Sequence, residues 1–348
     1  MPNPLIGVLY HWLGGLSSAS FYVPYRGVRG WNWEVLWLTG GLFSWLVAPW
    51  LFAAVMTRDL AGVLAQTPAP VAGLCILFGA LWGFGGLTYG LTMRYLGLSL
   101  GMAVVLGLCT VFGTLIPPIV TGDVAAKLLD TASGRTILLG LAVTVAGIVV
   151  VAVAGSRKDA ADKAATIAEF DFRKGIGVAI FSGIMSSCFA FGLAAGAPVK
   201  VLSAAAGTGP LWTGLPVLCL VMFGGLVTNA LWCAWLILRN RSGGQWLGRA
   251  AATVERPALA RNYLLAGLGG TLWYLQFFFY TMGESQMGRL GFSSWTLHMA
   301  SIIIFGTLWG FALREWKGVR AGVRATVGAG IALLVGATVI IGYGNSLA

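Results

Sequence analysis

The stretch "LGGTLWYLQFFFYTMGES", residues 268 to 285, is apolar enough to cross a lipid bilayer, yet it carries several polar side chains. On a helix with about 100° per residue, Trp273, Gln276, Phe277 and Tyr280 fall on one face. A polar group that is buried without a partner costs free energy. The stretch therefore predicts a membrane helix whose polar, aromatic face lines a cavity instead of contacting lipid.

The composition of the whole chain agrees with a membrane protein. The chain has 348 residues, of which 58% are hydrophobic and 9% are charged, whereas a soluble domain carries roughly 25% charged residues. The net charge of +11 comes from Lys and Arg in short loops, so a nucleic-acid partner is not expected. The five Cys lie in apolar runs without metal-ligand spacing, which predicts packing residues and no metal or other cofactor.

Ten apolar runs are long enough to span a bilayer, since a spanning helix needs about 20 mostly apolar residues. They cover residues 5–23, 35–56, 71–92, 97–120, 136–154, 174–195, 211–238, 262–282, 293–313 and 325–343. The run at 211–238 is unusually long and is predicted to tilt or to break near Gly224 and Gly225. The predicted fold is an all-α polytopic membrane protein with ten transmembrane helices.

The basic residues are distributed unevenly between the two sides of the membrane. Loops that follow the odd-numbered runs hold all of the 22 Lys and Arg except Arg58, Lys127, Arg135, Lys200 and Arg289. The positive-inside rule places the richer side in the cytoplasm. This predicts a protein of the bacterial inner membrane with both termini in the periplasm and the central linker in the cytoplasm.

A polar stretch divides the ten runs into two sets of five. The predicted parts are a first repeat (1–154), a cytoplasmic linker (155–173) and a second repeat (174–348). A short echo supports this division, because "GGLSSASFY" (14–22) is similar to "SGIMSSCFA" (182–190). Five is an odd number, so the two halves would be inverted repeats, an arrangement that recurs in transporters.

Enzyme motifs in their structural context are absent from the sequence. There is no H-E-x-x-H and no phosphate-binding loop, and the G-x-S-x-G match at 97–101 lies within an apolar run and not at a strand-to-helix turn. Ser294 and His298 share a helix face, but a serine nucleophile also needs an oxyanion hole and an orienting group. The chain is therefore not expected to be an enzyme.

Polar side chains inside the apolar runs are candidates for binding, because such groups are costly in lipid and usually face a cavity. The candidates for substrate binding are His11, Ser18, Tyr89, Asn229, Trp273, Gln276, Tyr280, Trp295 and His298. His11 and His298 are the only His in the chain, and imidazole titrates near neutral pH. The alternative interpretation is that each His is neutral and hydrogen-bonded inside the helix bundle.

Aromatic rings beside amides and imidazoles suit a small polyhydroxylated ligand. Rings cover the C–H face of a sugar, and polar side chains bond its hydroxyl groups. A competing interpretation is an aromatic belt at the membrane interface, which explains Trp31, Trp33, Trp37 and Trp316 well and Gln276 poorly.

Four segments resemble the L-rhamnose–proton symporter family of the drug/metabolite transporter superfamily. They are "YHWLGGLSSASFYVPYRGVRGWNWE" (10–34), "YGLTMRYLGLSLG" (89–101), "LGGTLWYLQFFFYTMG" (268–283) and "SWTLHMASIIIFGTLWGFALREW" (294–316). The resemblance implies ten helices in two inverted halves. It also implies import of L-rhamnose, or of a related L- or deoxy sugar, coupled to protons.

The resemblance further implies that His11, Glu34, Trp273, Gln276 and His298 handle sugar and protons. The candidates for proton coupling are His298, Glu34 and His11. The simpler interpretation of Glu34 is an acidic residue that interacts favourably with the helix dipole at the start of a helix.

The sequence departs from the family pattern at two places. The sixth run lacks an amide near Ala194, and the loop 283–292 differs. If that amide contacts sugar in the family, the substrate of this chain differs from rhamnose.

The sequence-based function is therefore a proton-coupled sugar importer that works by alternating access. Its cavity would be lined by the first, third, sixth, eighth and ninth helices. The partners would be sugar, protons and membrane lipid, and the protein would be a monomer or a weak dimer. The alternatives are an exporter of amino acids or drug-like metabolites, and a membrane sensor without transport, which the short loops disfavour.

Overall fold

The computed structural model describes residues 3–121, 124–156, 171–249, 258–287, 294–314, 317 and 319–347. Within these ranges all regular secondary structure is helical and no strand occurs. Most of the predicted linker 155–173 lies outside the described residues, as do Trp316 and half of the loop 283–292.

The helices follow the predicted apolar runs closely. In chain order they are α1 (Pro4–Ser20), α2 (Tyr22–Tyr25), α3 (Trp33–Leu42), α4 (Ala48–Met56), α5 (Leu60–Gln66), α6 (Ala69–Leu96), α7 (Leu98–Thr121), α8 (Ala132–Ser156), α9 (Phe172–Ala195), α10 (Ala197–Ala205), α11 (Leu215–Asn240), α12 (Leu259–Gln286), α13 (Ser294–Ala312) and α14 (Ala321–Ser346).

Seven stretches of the described helices are long and apolar enough to cross a membrane, and they match seven of the ten predicted runs. They are Trp33–Met56, Ala69–Leu96, Ala132–Val151, Phe172–Ala205, Leu215–Asn240, Ser294–Ala312 and Ala321–Gly344. The other three runs correspond to α1, α7 and α12. Of these, α1 has 17 residues, and α12 carries the Trp, Tyr and Gln side chains that lower its hydropathy. The chain is thus an all-helical, multi-pass protein, and its ten-helix arrangement remains a prediction.

The long helix α11 runs without a break from Leu215 to Asn240. Of the two predicted alternatives, a break near Gly224 and Gly225 is therefore excluded, and a tilt stays a prediction. A Cβ at Gly224 would strike the Ile76 carbonyl on α6, which means that the glycines allow close helix contact. From the sequence alone, a glycine pair can indicate either a helix break or a close contact between two helices.

A break occurs instead in the second predicted run. Phe43–Val47 form a π-helical turn between α3 and α4, in which the Ala48 N–H donates to the Phe43 carbonyl. Pro49 follows directly and has no N–H to donate. Such π turns are rare and frequently mark functional sites.

The chain divides into two compact units. The first unit contains Met1–Leu16, Gly85–Ala190 and Met282–Ala348, and the second contains Ser17–Phe84 and Phe191–Thr281. Each unit combines residues from both halves of the sequence. Four helices, α1, α6, α9 and α12, contribute residues to both units.

In the first unit, α8 and α14 pack along each other through glycines. A Cβ at Gly140 would meet Ile341, and one at Gly147 would meet Leu334. The partner numbers fall on α14 as the numbers rise on α8, so the two helices are antiparallel. Small residues let helix backbones approach closely, and in lipid this contact replaces hydrophobic collapse.

In the second unit, glycines fix two further crossings. On α6, a Cβ at Gly79 would strike the Val221 carbonyl of α11. On α12, a Cβ at Gly270 would strike the Gly40 carbonyl of α3. Because both neighbours are backbone atoms, neither can move aside without shifting a whole helix.

Candidate functional site

The structure places the predicted site residues in both units. His11, Tyr89, Trp295 and His298 belong to the first unit, and Ser18, Glu34, Asn229, Trp273, Gln276 and Tyr280 belong to the second. Trp295 is half-buried and the others are buried. Their polar groups therefore face protein, and the cavity predicted from residues 268–285 stays a prediction.

In the first unit, the two imidazoles lie against each other. His11 of α1 and His298 of α13 are fully buried, and their ring centroids are 5.9 Å apart at an angle of 65°. They are 287 positions apart in the sequence, so only the fold brings them together. The result is a pair of titratable rings enclosed by three helix segments, from α1, α12 and α13.

Small residues make the approach of these helices possible. The Ser301 hydroxyl lies 2.8 Å from the His11 carbonyl oxygen and 2.7 Å from the His298 carbonyl oxygen, and it donates across both. A Cβ at Gly15 would strike Ser301, and one at Gly283 would lie 2.8 Å from the His11 ring. We call His11, Gly15, Gly283, His298 and Ser301 the imidazole crossing.

Trp295 lies three residues before His298 and contacts a different set of neighbours. Its ring stacks on Phe189 of α9, with centroids 6.4 Å apart and planes 20° from parallel. A Cβ at Gly113 of α7 would lie 2.9 Å from its indole nitrogen. Trp295 thus joins α7, α9 and α13 within the first unit.

In the second unit, Trp273 stands among other rings. The Trp273 and Phe21 ring centroids are 4.3 Å apart, and Trp82 lies nearly parallel to Trp273 at 6.5 Å. Gln276, one turn further along α12, donates from Nε2 to the Trp273 carbonyl at 3.0 Å. The face predicted from sequence is therefore an aromatic surface with one amide beside it.

The side chain of Asn229 links helices of the second unit through hydrogen bonds. Its Nδ2 donates to the Gly225 carbonyl at 2.8 Å and to the Gly83 carbonyl at 3.3 Å. Its Oδ1 accepts from the Trp37 indole nitrogen at 2.8 Å. The amide is thus bonded to α3, α6 and α11, and its predicted contact with sugar stays a prediction.

The same bond corrects the interpretation of Trp37. The competing interpretation of the sequence placed Trp37 in an aromatic belt at the membrane interface. In the structure it is buried, and it stacks on Trp33 with centroids 5.4 Å apart. Its indole N–H has a partner inside the protein, so it does not serve as an interfacial anchor.

Glu34, at the start of α3, is held by a polar network. Its Oε1 accepts from Ser242 at 2.8 Å, from Asn240 at 3.0 Å and from Asn32 at 3.2 Å. Gln245 extends the network, because its Nε2 donates to the Asn32 Oδ1 at 2.8 Å. The carboxylate therefore fastens the start of α3 to the end of α11.

Metal chemistry finds no support in the part of the chain that is described. No group of three or more His, Cys, Asp or Glu side chains there could hold an ion. The five Cys are buried with reduced thiols. The roles of the two imidazoles and of Glu34 in proton coupling stay predictions.

Sequence reasoning missed several residues that build these surroundings. Trp82 was not selected as a site residue, because an aromatic residue in an apolar run is also typical of helix packing. Gly283 was missed because a glycine near a helix end carries no chemical signal. Its role follows only from the contact with His11.

Comparison with known proteins now adds the family. A family model described as L-rhamnose-proton symport protein (RhaT) matches residues 1–347. The L-rhamnose-proton symporters of Cronobacter sakazakii and Salmonella gallinarum are each 36% identical to this chain over 340 residues, covering 97% of both chains. The chain belongs to the L-rhamnose-proton symporter family.

Membership of this family confirms three sequence-based predictions. The chain is a transport protein and not an enzyme, since its relatives are named as symporters. It is a multi-pass protein of the bacterial inner membrane, since the family consists of symporters and the chain has several helices that are apolar enough to cross a membrane. The resemblance drawn from the four quoted segments was also correct.

Proposed function

We propose that this protein imports L-rhamnose, or a closely related L- or deoxy sugar, together with protons. The carrying observation is the match to the L-rhamnose-proton symporter family over residues 1–347. The buried imidazole pair supports the coupling to protons, and the ring-lined face of α12 supports a sugar substrate.

His298 is the proposed proton carrier, with His11 as its neighbour. A second proton on the pair would place two positive charges about 6 Å apart, a repulsion of about 3 kcal/mol at an effective dielectric constant of about 20. The pair therefore takes up one proton at a time. This arrangement predicts that one proton enters with each sugar.

Glu34 is the competing candidate for proton uptake. Its Oε1 already accepts three hydrogen bonds from neutral donors. Protonation would weaken all three and loosen the join between α3 and α11. We therefore assign the proton to the imidazole pair and a fastening role to Glu34.

The sugar is proposed to bind against the ring of Trp273 and the amide of Gln276. The amide carbonyl of Gln276 accepts no hydrogen bond among the described residues, because only its Nε2 is bonded. An acceptor beside a flat ring matches a sugar, which offers hydroxyl donors at its edge and C–H groups on its face.

Transport would follow alternating access between two inverted five-helix repeats, 1–154 and 174–348. The excess of basic residues in one set of loops supports periplasmic termini and a cytoplasmic linker. One proton is sufficient for useful accumulation. One charge that moves down about 150 mV releases roughly 3.5 kcal/mol, which corresponds to a gradient of a few hundredfold.

Uptake of labelled L-rhamnose into proteoliposomes tests this function. We expect accumulation when the outside is more acidic than the inside, and only equilibration when the two pH values are equal. Uptake that ignores the pH gradient would contradict proton coupling. If a related L- or deoxy sugar is taken up and L-rhamnose is not, that sugar would be the substrate and the proposed substrate class would stand.

A further inference from the structure

Three aromatic rings of the second unit form a U-shaped arrangement. The indoles of Trp82 on α6 and Trp273 on α12 are 14° from parallel, with centroids 6.5 Å apart. Phe277 stands perpendicular to both, at 90° and 5.3 Å from Trp82 and at 84° and 6.1 Å from Trp273. Two nearly parallel rings and one perpendicular ring thus lie together, and we call Trp82, Trp273 and Phe277 the indole slot.

The slot is close to the width that a flat saturated ring requires. Carbon atoms in favourable contact are about 3.5–4.0 Å apart, so a sugar ring that contacts both indoles needs a separation of about 7–8 Å. The observed 6.5 Å falls short of this by about 1 Å. Binding would therefore need to spread the two walls, Trp82 and Trp273, by about 1 Å.

The walls belong to different helices, which allows such a movement. Phe21 backs Trp273, with ring centroids 4.3 Å apart, so that wall is supported from behind. Trp82 rests on the backbone of α11, because a Cβ at Gly225 would lie 2.7 Å from its ring. The absence of a side chain at Gly225 is what leaves Trp82 its present position.

Gln276 adds a polar group beside the slot, one position before Phe277. Its Nε2 is fixed by the Trp273 carbonyl, which holds the amide next to the Trp273 wall. A ligand between the indoles would present C–H groups to the rings and a hydroxyl group to this amide. That combination of apolar faces and a polar edge describes a pyranose.

We propose that Trp82 is a second sugar-binding wall, and that the substrate ring is held between Trp82 and Trp273 above Phe277. This inference rests on the proposed sugar transport and specifies its binding geometry. It makes Trp82 and Gly225 determinants of affinity.

The test is the thermal stabilisation of purified protein by L-rhamnose, measured over a range of sugar concentrations. Loss of an aromatic contact typically costs about 0.5–1.5 kcal/mol, so Trp82→Ala should weaken binding by about two- to tenfold. Trp82→Phe keeps a flat wall and should lose less. Gly225→Ala should weaken binding too, because it displaces the Trp82 ring.

Trp232→Ala is the matched control, since Trp232 is on α11 and about half exposed. It should leave the affinity unchanged. Equal rhamnose affinity in the wild type, Trp82→Phe and Gly225→Ala would overturn the indole slot, even if Trp82→Ala failed to fold. If the wild type itself bound no L-rhamnose, the proposed function would fail first, which separates the two conclusions.

Discussion

The two compact units carry different chemistry. In the first unit, two buried imidazoles meet at a crossing of small residues, and the Ser301 hydroxyl bridges their carbonyl groups. In the second unit, the buried site residues around Trp273 present indole and phenyl rings with one amide. Its buried acid, Glu34, is engaged in a polar network away from these rings.

We propose that the two units divide the work of transport, with proton uptake in the first and sugar binding in the second. A coupled transporter needs a group that changes its charge and a surface that recognises a neutral sugar. Imidazole meets the first need near neutral pH, and aromatic faces meet the second without charge. The following variants either break this division or sharpen it.

The largest effect is expected for His298→Gln. Glutamine keeps polarity and approximate size but takes up no proton, so accumulation of a few hundredfold should collapse to equilibration. Exchange of labelled for unlabelled sugar should continue, because it needs no net proton movement. Tyr343→Phe, at a largely exposed position of α14, is the control, and accumulation by His298→Gln at the wild-type level would reject the assignment.

The close contact between α6 and α11 in the second unit is tested by Gly79→Ala. The added methyl group would strike the Val221 carbonyl, and overpacking of this kind costs about 1–3 kcal/mol. Gly73→Ala makes the same change on the same helix, where nothing lies within 4 Å. Thermal denaturation in detergent should lower the melting temperature of the first variant alone, and similar values for both would contradict the close crossing.

Gly283→Ala sharpens the role of the imidazole crossing. The new Cβ would lie 2.8 Å from the His11 ring and should displace it from His298. We expect proton-driven accumulation to fall several-fold while the affinity for L-rhamnose is retained. Gly336→Ala, in open space on α14, should change neither, and an affinity loss in Gly283→Ala would instead point to sugar contact.

The smallest effect on transport is expected for Glu34→Gln. Glutamine retains an oxygen that accepts from Asn240 and Ser242, so the join between α3 and α11 should persist. Hydrogen bonds to a charged acceptor are stronger than those to a neutral one, and the stability should fall by about 1–2 kcal/mol. Loss of accumulation to the extent of His298→Gln would transfer the proton site to Glu34.

The sequence predicted the helices well because hydropathy is a local property. Each of the ten apolar runs is helical over most of its described residues, and the buried face of α12 follows directly from its 100° periodicity. His11 and His298 were both selected, because an ionisable group inside an apolar run is conspicuous without any knowledge of its neighbours.

The contacts between helices could not be predicted in the same way. Nothing local shows that Trp37 bonds to Asn229, 192 positions away, or that Trp82 faces Trp273. The glycines at 224 and 225 illustrate the difficulty, since the same residues can break a helix or bring two helices together. Their effect depends on whether another backbone lies opposite.

The most direct test of the division of labour follows sugar binding and proton movement in the same proteoliposomes. Tryptophan fluorescence would report L-rhamnose binding, and an enclosed pH indicator would report proton entry. For His298→Gln we predict a binding signal like that of the wild type and no rhamnose-driven acidification of the interior. Acidification that persists in this variant, or a binding signal that disappears with the imidazole, would contradict the account.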